Sequence, residues 1–211
     1  DRLRDRIEKG GEGFDNIAGM VGWENIIMST LNTPANKRFE GMTVRDIAKA
    51  RGTDPVDCVC DMLIEENCAI TMIDFITCEE DIARILNCGF ASVISDSIYP
   101  ASGRPHPRLY GTYARIIQRF VGERRDMTLE AAVKAMTYNP AKALNIADRG
   151  LLKEGLCADV NVFDPAEVKE RGSYADPDKR AAGMDYVFVN GKPAIAAGKL
   201  AEADSGQVIR R

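Results

Sequence analysis

The sequence has 211 residues, enough for one large domain or two small ones with a buried core. Apolar residues make up 45% and charged residues 28%, which excludes a disordered chain. The formal net charge is −4 without a basic block, which argues against nucleic-acid binding. No apolar run approaches the roughly 20 residues that cross a bilayer, and no segment resembles a signal peptide, so a cytoplasmic protein is expected.

The cysteines and the start of the chain also carry information. The six cysteines lack the spacing of a disulfide framework, which favours free thiols in a reducing compartment. A single histidine, His106, and the absence of paired Cys-x-x-Cys motifs argue against a self-contained zinc site. The chain begins at Asp1 within a charged helical pattern, so we expect it to be a fragment of a larger protein.

The first part of the chain predicts alternating strands and helices. Residues 23–29 and 68–73 are short apolar runs that predict strands. Between them, capping signals at Thr43 and at Asp54-Pro55 predict two helices. We interpret these helices as an insertion over about residues 34–66.

A further helix between Thr77 and Asn87 leads into a continuous apolar run, residues 90–94. Such a run predicts a parallel strand covered on both faces. Three helices are then expected at about residues 109–122, 129–138 and 140–146, with Pro140 at the first position of the last one.

The pattern changes near residue 150, where short strand-like segments are separated by turn residues. Asn190-Gly191 is a strong β-hairpin signal. We therefore divide the chain into an α/β part, residues 1–149, and a small β-sandwich-like domain, residues 150–211. A complete (β/α)8 barrel takes about 250 residues. The first part is either a small open α/β domain or the last part of a barrel.

Asp96 and the loop that follows it are the candidate functional residues. A carboxylate directly after a buried strand lies where α/β folds place catalytic groups, although turn-forming residues also collect there. The loop over residues 97–108 is long, stiffened by prolines, and presents His106 and Arg108. An arginine there either binds a substrate carboxylate through paired N–H donors or carries a solvated surface charge. By its own residues, the chain contains at most part of an active site.

Several segments resemble the D-aminoacylases, which are N-acyl-D-amino-acid deacylases of the amidohydrolase superfamily. The likeness is most specific in Ser95-Asp96 and His106-Pro107-Arg108, followed by Gly111-Thr112. These match the family's Ser-Asp-Gly, His-Pro-Arg and Gly-Thr segments. Further stretches agree in order and spacing over nearly the whole chain: residues 128–137, 139–142, 148–160 and 186–191.

The resemblance implies the C-terminal part of a distorted (β/α)8 barrel followed by a small all-β module. The activity it implies is zinc-dependent hydrolysis of the amide bond of N-acyl-D-amino acids. Asp96 matches the family aspartate that takes a proton from the metal-activated water and delivers it to the leaving amine; it is also a candidate metal ligand. Arg108 matches the arginine that pairs with the α-carboxylate of the substrate, and His106 shapes that loop.

Two departures from the family pattern bear on activity. Ser97, a candidate substrate-binding residue, replaces the glycine that follows the family aspartate, which adds a side chain where the backbone approaches the metal and bears on the choice of substrate. The family's histidine and cysteine zinc ligands match no residue here, so we expect this chain alone to bind no zinc and to hydrolyse no amide. The alternative is a non-catalytic scaffold or dimerisation module derived from an amidohydrolase. Open sheet edges favour self-association in either case.

Overall fold

The structure is a computed structural model that describes residues 2–99, 102–201 and 204–209 as a mixed α/β protein. Its contacts divide the chain into two compact units, and each is described by itself. Unit 1 comprises Asp1–Cys78, Ser97–Leu109 and Ser173–Asp178, and unit 2 comprises Glu79–Asp96, Tyr110–Gly172 and Lys179–Arg211. The units run across the predicted domain boundary at residue 150, because Ser173–Asp178 packs within unit 1. The domain boundary at residue 150 therefore stays a prediction.

The described residues of unit 1 form four helices and a two-stranded sheet. Its elements are α1 (Arg2–Lys9), α2 (Ile17–Val21), a 3-10 turn (Trp23–Asn25), β1 (Ile26–Thr30), a 3-10 turn (Lys37–Phe39), α3 (Val44–Arg51), α4 (Pro55–Glu65) and β2 (Thr71–Asp74). Strands β1 and β2 pair antiparallel, with Ile27 opposite Ile73. Both predicted strands are confirmed, although each begins a few residues later than predicted.

Side-chain caps determine where α3 and α4 begin. The Thr43 hydroxyl accepts a hydrogen bond from the Asp46 N–H at 3.1 Å. The Asp54 carboxylate accepts from the N–H groups of Val56 and Asp57, at 2.9 and 3.2 Å. Pro55 occupies the first position of α4, where its missing N–H leaves no helical bond unmade. Both predicted helix starts are confirmed.

The core of unit 1 lies between β1 and the helices α3 and α4. Its buried members are Ile26, Met28, Leu31, Phe39, Val44, Ile47, Ala48, Cys58 and Met62. Trp23, the only tryptophan of the chain, packs against this cluster. Burying each large aliphatic side chain stabilises the folded state by about 1.5–3 kcal/mol.

Unit 2 combines helices with an antiparallel sheet. Its elements are α5 (Glu79–Leu86), most of α6 (Arg108–Arg115), a π-helical segment (Ile116–Glu123), α7 (Leu129–Met136), α8 (Tyr138–Ala143), β3 (Val160–Val162), β4 (Tyr186–Val189), β5 (Lys192–Ala196) and β6 (Lys199–Leu200). Pro140 is the third residue of α8 rather than the first, which corrects the predicted helix start. The first-turn N–H groups have no partner within a helix, so proline is tolerated there.

The strands of unit 2 form one sheet in the order β3-β4-β5-β6, with every neighbouring pair antiparallel. Asn190 and Gly191 join β4 to β5 with φ angles of +50° and +77°. Two positive φ angles in succession are what a tight hairpin turn requires, so the predicted hairpin is confirmed. The sandwich-like arrangement of residues 150–211 stays a prediction.

The predicted strand over residues 90–94 is wrong. In the described part of the chain this segment pairs with no strand, and Phe90 and Ile94 are 84% and 66% exposed. The Val93 N–H instead donates to the Ala135 carbonyl at the end of α7, at 2.9 Å. A parallel strand needs neighbouring strands for its backbone groups, and no described strand takes that role here.

Two expectations from composition concern thiols and membranes. All six cysteines are free, so no disulfide links any of them. None of the helices in the described ranges is long and apolar enough to span a bilayer.

Candidate functional site

The predicted functional loop belongs to unit 1, where it is anchored to the end of β1. The Arg104 N–H donates to the Ser29 carbonyl at 2.9 Å, and the Ser29 hydroxyl donates to the Arg104 carbonyl at 2.5 Å. Gly103 has a φ of +91°, and a Cβ there would lie 2.5 Å from the Thr30 hydroxyl. Only glycine lets the loop cross β1 this closely.

A buried carboxylate holds the turn that follows β1. Glu66 is 4% exposed. It accepts hydrogen bonds from the Asn32 N–H at 2.6 Å, the Thr33 N–H at 3.1 Å and the Asn36 side chain at 3.0 Å, and also from the Thr33 hydroxyl. The Asn32 side chain in turn accepts from the Ser102 hydroxyl at 3.2 Å. The network thus extends from Glu66 to the functional loop.

Hydrogen bonding determines the charge of two carboxylates at the end of α4. Burial raises the pKa of Glu66, but donors from Thr33, Asn36 and the backbone outweigh it and hold this pKa below its ordinary value. Hydrogen bonds from Arg51 and then Asn36 lower the pKa of Glu65 to about 2. Both carboxylates are therefore ionised at neutral pH.

His106 and Arg108 form one turn at the start of α6. The Arg108 N–H donates to Nδ1 of His106 at 3.0 Å, and Pro107 between them is buried. Nε2 of His106 lies 3.4 Å from the hydroxyl of Tyr174, and the two rings meet edge to face with centroids 5.2 Å apart. Tyr174 was missed from sequence because it falls in the segment predicted as part of the β module, where no motif marks it.

Asp96 and Ser97 lie on either side of the boundary between the two units. Asp96 is exposed and has a φ of +47°, a left-handed conformation that few residues other than glycine, asparagine and aspartate adopt. Ser97 is half-buried. The structure thus brings His106 and Arg108 together in one turn, with Ser97 in the same unit, whereas Asp96 belongs to unit 2.

The residues present do not by themselves fit a zinc ion. Among residues 2–99, 102–201 and 204–209, no three His, Cys, Asp or Glu side chains lie close enough together to hold a metal. A zinc site needs three or four such ligands. Asp96 offers one carboxylate, and the single histidine uses its Nδ1 to accept the Arg108 N–H.

A cavity of about 340 Å³ lies elsewhere in unit 1. It is lined by residues of α1, α2 and the start of α4, together with Trp23. Arg4 and Asp54, which pair at 2.9 Å, form part of its wall. The predicted site residues are not part of its lining.

Comparison with known proteins places the chain among the amidohydrolases. The model of the amidohydrolase family matches residues 32–195. The chain is 37% identical to the N-acyl-D-glutamate deacylase of Alcaligenes xylosoxydans xylosoxydans over 165 residues, 78% of this chain and 32% of the relative. It is 34% identical to the D-aminoacylase of the same organism over 173 residues, 82% of this chain and 34% of the relative. The chain therefore spans about a third of the length of these relatives.

Two solved structures agree with this result. A crystal structure of D-aminoacylase is similar with a TM-score of 0.78 at 31% identity, covering 88% of this chain and 38% of that protein. N-acyl-D-glutamate deacylase from Bordetella bronchiseptica, solved with zinc and a phosphonate that mimics the tetrahedral intermediate, gives a TM-score of 0.78 at 34% identity. It covers 89% of this chain and 38% of that protein. The resemblance to the D-aminoacylases is thereby confirmed, and the chain belongs to the amidohydrolase family.

Proposed function

We propose that this chain is the C-terminal part of a zinc-dependent deacylase that hydrolyses the amide bond of N-acyl-D-amino acids. The observation that carries the proposal is the TM-score of 0.78 at 34% identity to a zinc-bound N-acyl-D-glutamate deacylase. In the parent protein, residues 1–149 form the last part of a distorted (β/α)8 barrel, and residues 150–211 form a small β module.

Asp96 is the residue we assign to proton transfer. In amide hydrolysis the oxygen of water bonds to the acyl carbon, the C–N bond breaks, and the nitrogen leaves as an amine. Asp96 takes a proton from the attacking water and delivers it to the amine nitrogen. Support comes from its place in the chain, because Asp96 directly precedes the loop that carries His106 and Arg108.

Arg108 is the residue we assign to the α-carboxylate of the substrate. Its guanidinium offers parallel N–H donors whose spacing matches the two carboxylate oxygens. Its backbone N–H is bound to His106, and buried Pro107 precedes it, so the arginine side chain starts from a defined position. His106 shapes this turn, and Ser97 lines the substrate side of the loop.

The zinc ligands are assigned to the rest of the parent protein. Within the described ranges no cluster of three ligating side chains exists, so Asp96 is the single candidate contribution of this chain. The 211-residue chain alone is therefore expected to hydrolyse no N-acyl-D-amino acid.

The proposal is tested on the gene product that contains this chain, by intact mass, zinc content and activity. We expect a product longer than 211 residues that binds zinc and hydrolyses N-acetyl-D-glutamate but not its L-enantiomer. Asp96→Asn should lower kcat by about 100-fold or more. Arg108→Lys should raise KM more than it lowers kcat. Asp61→Asn, an exposed carboxylate on α4, is the control and should retain wild-type activity.

A native product of 211 residues that binds no zinc and hydrolyses no substrate would overturn the proposal. It would instead favour a non-catalytic scaffold or dimerisation module. One observation supports that second function: within unit 2, Phe90 and Ile94 are 84% and 66% exposed. Exposed apolar side chains of this kind are typical of association surfaces. Sedimentation analysis would then show a dimer.

A further inference from the structure

The turn that carries His106 and Arg108 has a neighbour that is remote in sequence. Residues 173–178 belong to the same compact unit as the loop. The Ser173 N–H donates to the Asp176 carbonyl at 3.0 Å, and the Asp176 N–H donates to the Ser173 hydroxyl at 3.0 Å. These two bonds close a tight turn and give the residues between them a defined conformation.

This second turn presents Tyr174 to the imidazole of His106. The Tyr174 hydroxyl lies 3.4 Å from Nε2, and the two rings meet at an interplanar angle of 83°. The Tyr174 ring also meets the Phe75 ring, with centroids 4.8 Å apart. Tyr174 therefore contacts His106 through its ring and its hydroxyl, and Phe75 supports the ring.

The hydrogen bonds define one tautomer of His106. Nδ1 accepts the Arg108 N–H, so Nδ1 carries no proton, and the neutral ring carries its proton on Nε2. That N–H faces the hydroxyl oxygen of Tyr174, which has lone pairs to accept it. Both nitrogens of the ring thus have a partner that fits the same tautomer.

We propose that Tyr174 is a positioning residue for the His106–Arg108 turn. Its ring and its hydroxyl, which lies 3.4 Å from Nε2, hold the imidazole in the orientation that presents Nδ1 to the Arg108 N–H. That hydrogen bond holds the backbone at the start of α6, and so determines the position from which the Arg108 side chain projects. The inference rests on the proposed function, since the position of Arg108 matters for a carboxylate substrate.

The single histidine of the chain makes this tautomer directly measurable. Long-range ¹H–¹⁵N correlation spectra of the 211-residue chain report the protonation of both ring nitrogens, and amide hydrogen exchange reports the Arg108 N–H. We expect the wild type to show the Nε2–H tautomer alone. Tyr174→Phe retains the ring and removes the hydroxyl, so the imidazole should turn away from the Arg108 N–H and the Nδ1–H tautomer should appear. Exchange of the Arg108 amide should become about three- to tenfold faster, the effect of losing one hydrogen bond.

Tyr186→Phe is the matched control. Tyr186 is 41% exposed, like Tyr174, and it stacks on Phe188 within unit 2. This variant should leave the tautomer and the Arg108 exchange rate unchanged.

Two results would overturn the inference. One is a wild-type His106 in the Nδ1–H tautomer. The other is a Tyr174→Phe chain with the wild-type tautomer, because Tyr174 would then only pack against its neighbours. Neither measurement depends on catalysis. If the chain shows the expected tautomer but the longer gene product lacks deacylase activity, only the proposed function is refuted.

Discussion

Replacing Glu66 with glutamine tests whether one buried carboxylate holds the turn after β1. Glutamine has the same size and shape, but it exchanges one acceptor oxygen for an NH2 donor. The wild-type carboxylate accepts from the N–H groups of Asn32 and Thr33, the Thr33 hydroxyl and the Asn36 side chain. A single amide oxygen has two lone pairs, so two of these four donors lose their acceptor.

The magnitude follows from the number of donors left without a partner. A buried donor without an acceptor costs about 1–3 kcal/mol, so two such donors cost about 2–6 kcal/mol. Local rearrangement that admits water reduces this cost. We therefore expect Glu66→Gln to lower the free energy of unfolding of unit 1 by about 2–4 kcal/mol.

Trp23 provides a reporter that is specific for unit 1. It is the only tryptophan, and it packs against the core cluster that contains Met62 of α4. Urea unfolding followed by Trp23 fluorescence would measure the effect. Glu65→Gln is the matched control, because Glu65 is 39% exposed and pairs with Arg51. An exposed ion pair contributes about 0–1 kcal/mol. If the two variants differed by less than about 0.5 kcal/mol, the assignment of Glu66 as an anchor would be refuted.

Three further predictions concern charged groups. The folded-state pKa values of Glu65 and Glu66 lie below the unfolded value of about 4.3. The two carboxylates therefore contribute their full stabilisation above that pH, and this stabilisation is lost as the pH falls toward 2. Acid should lower the urea midpoint of the wild type more than that of Glu65→Gln. Asp54→Ala should lower the melting temperature by a few degrees. Asp54→Asn can still cap α4 and should keep the melting temperature close to that of the wild type. Glu79 accepts from three arginine side chains at 2.8–3.3 Å. Glu79→Gln should therefore destabilise unit 2 by about 1–2 kcal/mol in circular-dichroism melts, and the exposed Asp81→Asn should have no effect.

Features that depend on neighbouring residues were predictable from sequence. The caps at Thr43 and Asp54 act over three residues, so the helix starts follow from local chemistry. The Asn190-Gly191 hairpin likewise depends on two residues that tolerate positive φ. Residue types in the His-Pro-Arg loop and in the stretches that follow it indicated the family, and the comparison with D-aminoacylase confirms that family.

Features that depend on distant partners could not be predicted from local sequence. The apolar run of residues 90–94 has the composition of a buried strand, but a strand exists only where another strand bonds to it. Glu66 and Tyr174 carry no sequence signal, because the hydrogen-bond partners named for them lie 30 to 68 residues away. Local chemistry was therefore enough to predict the starts of α3 and α4, the hairpin and the family. The contacts around the His106–Arg108 turn could be known only once the chain had brought its remote segments together.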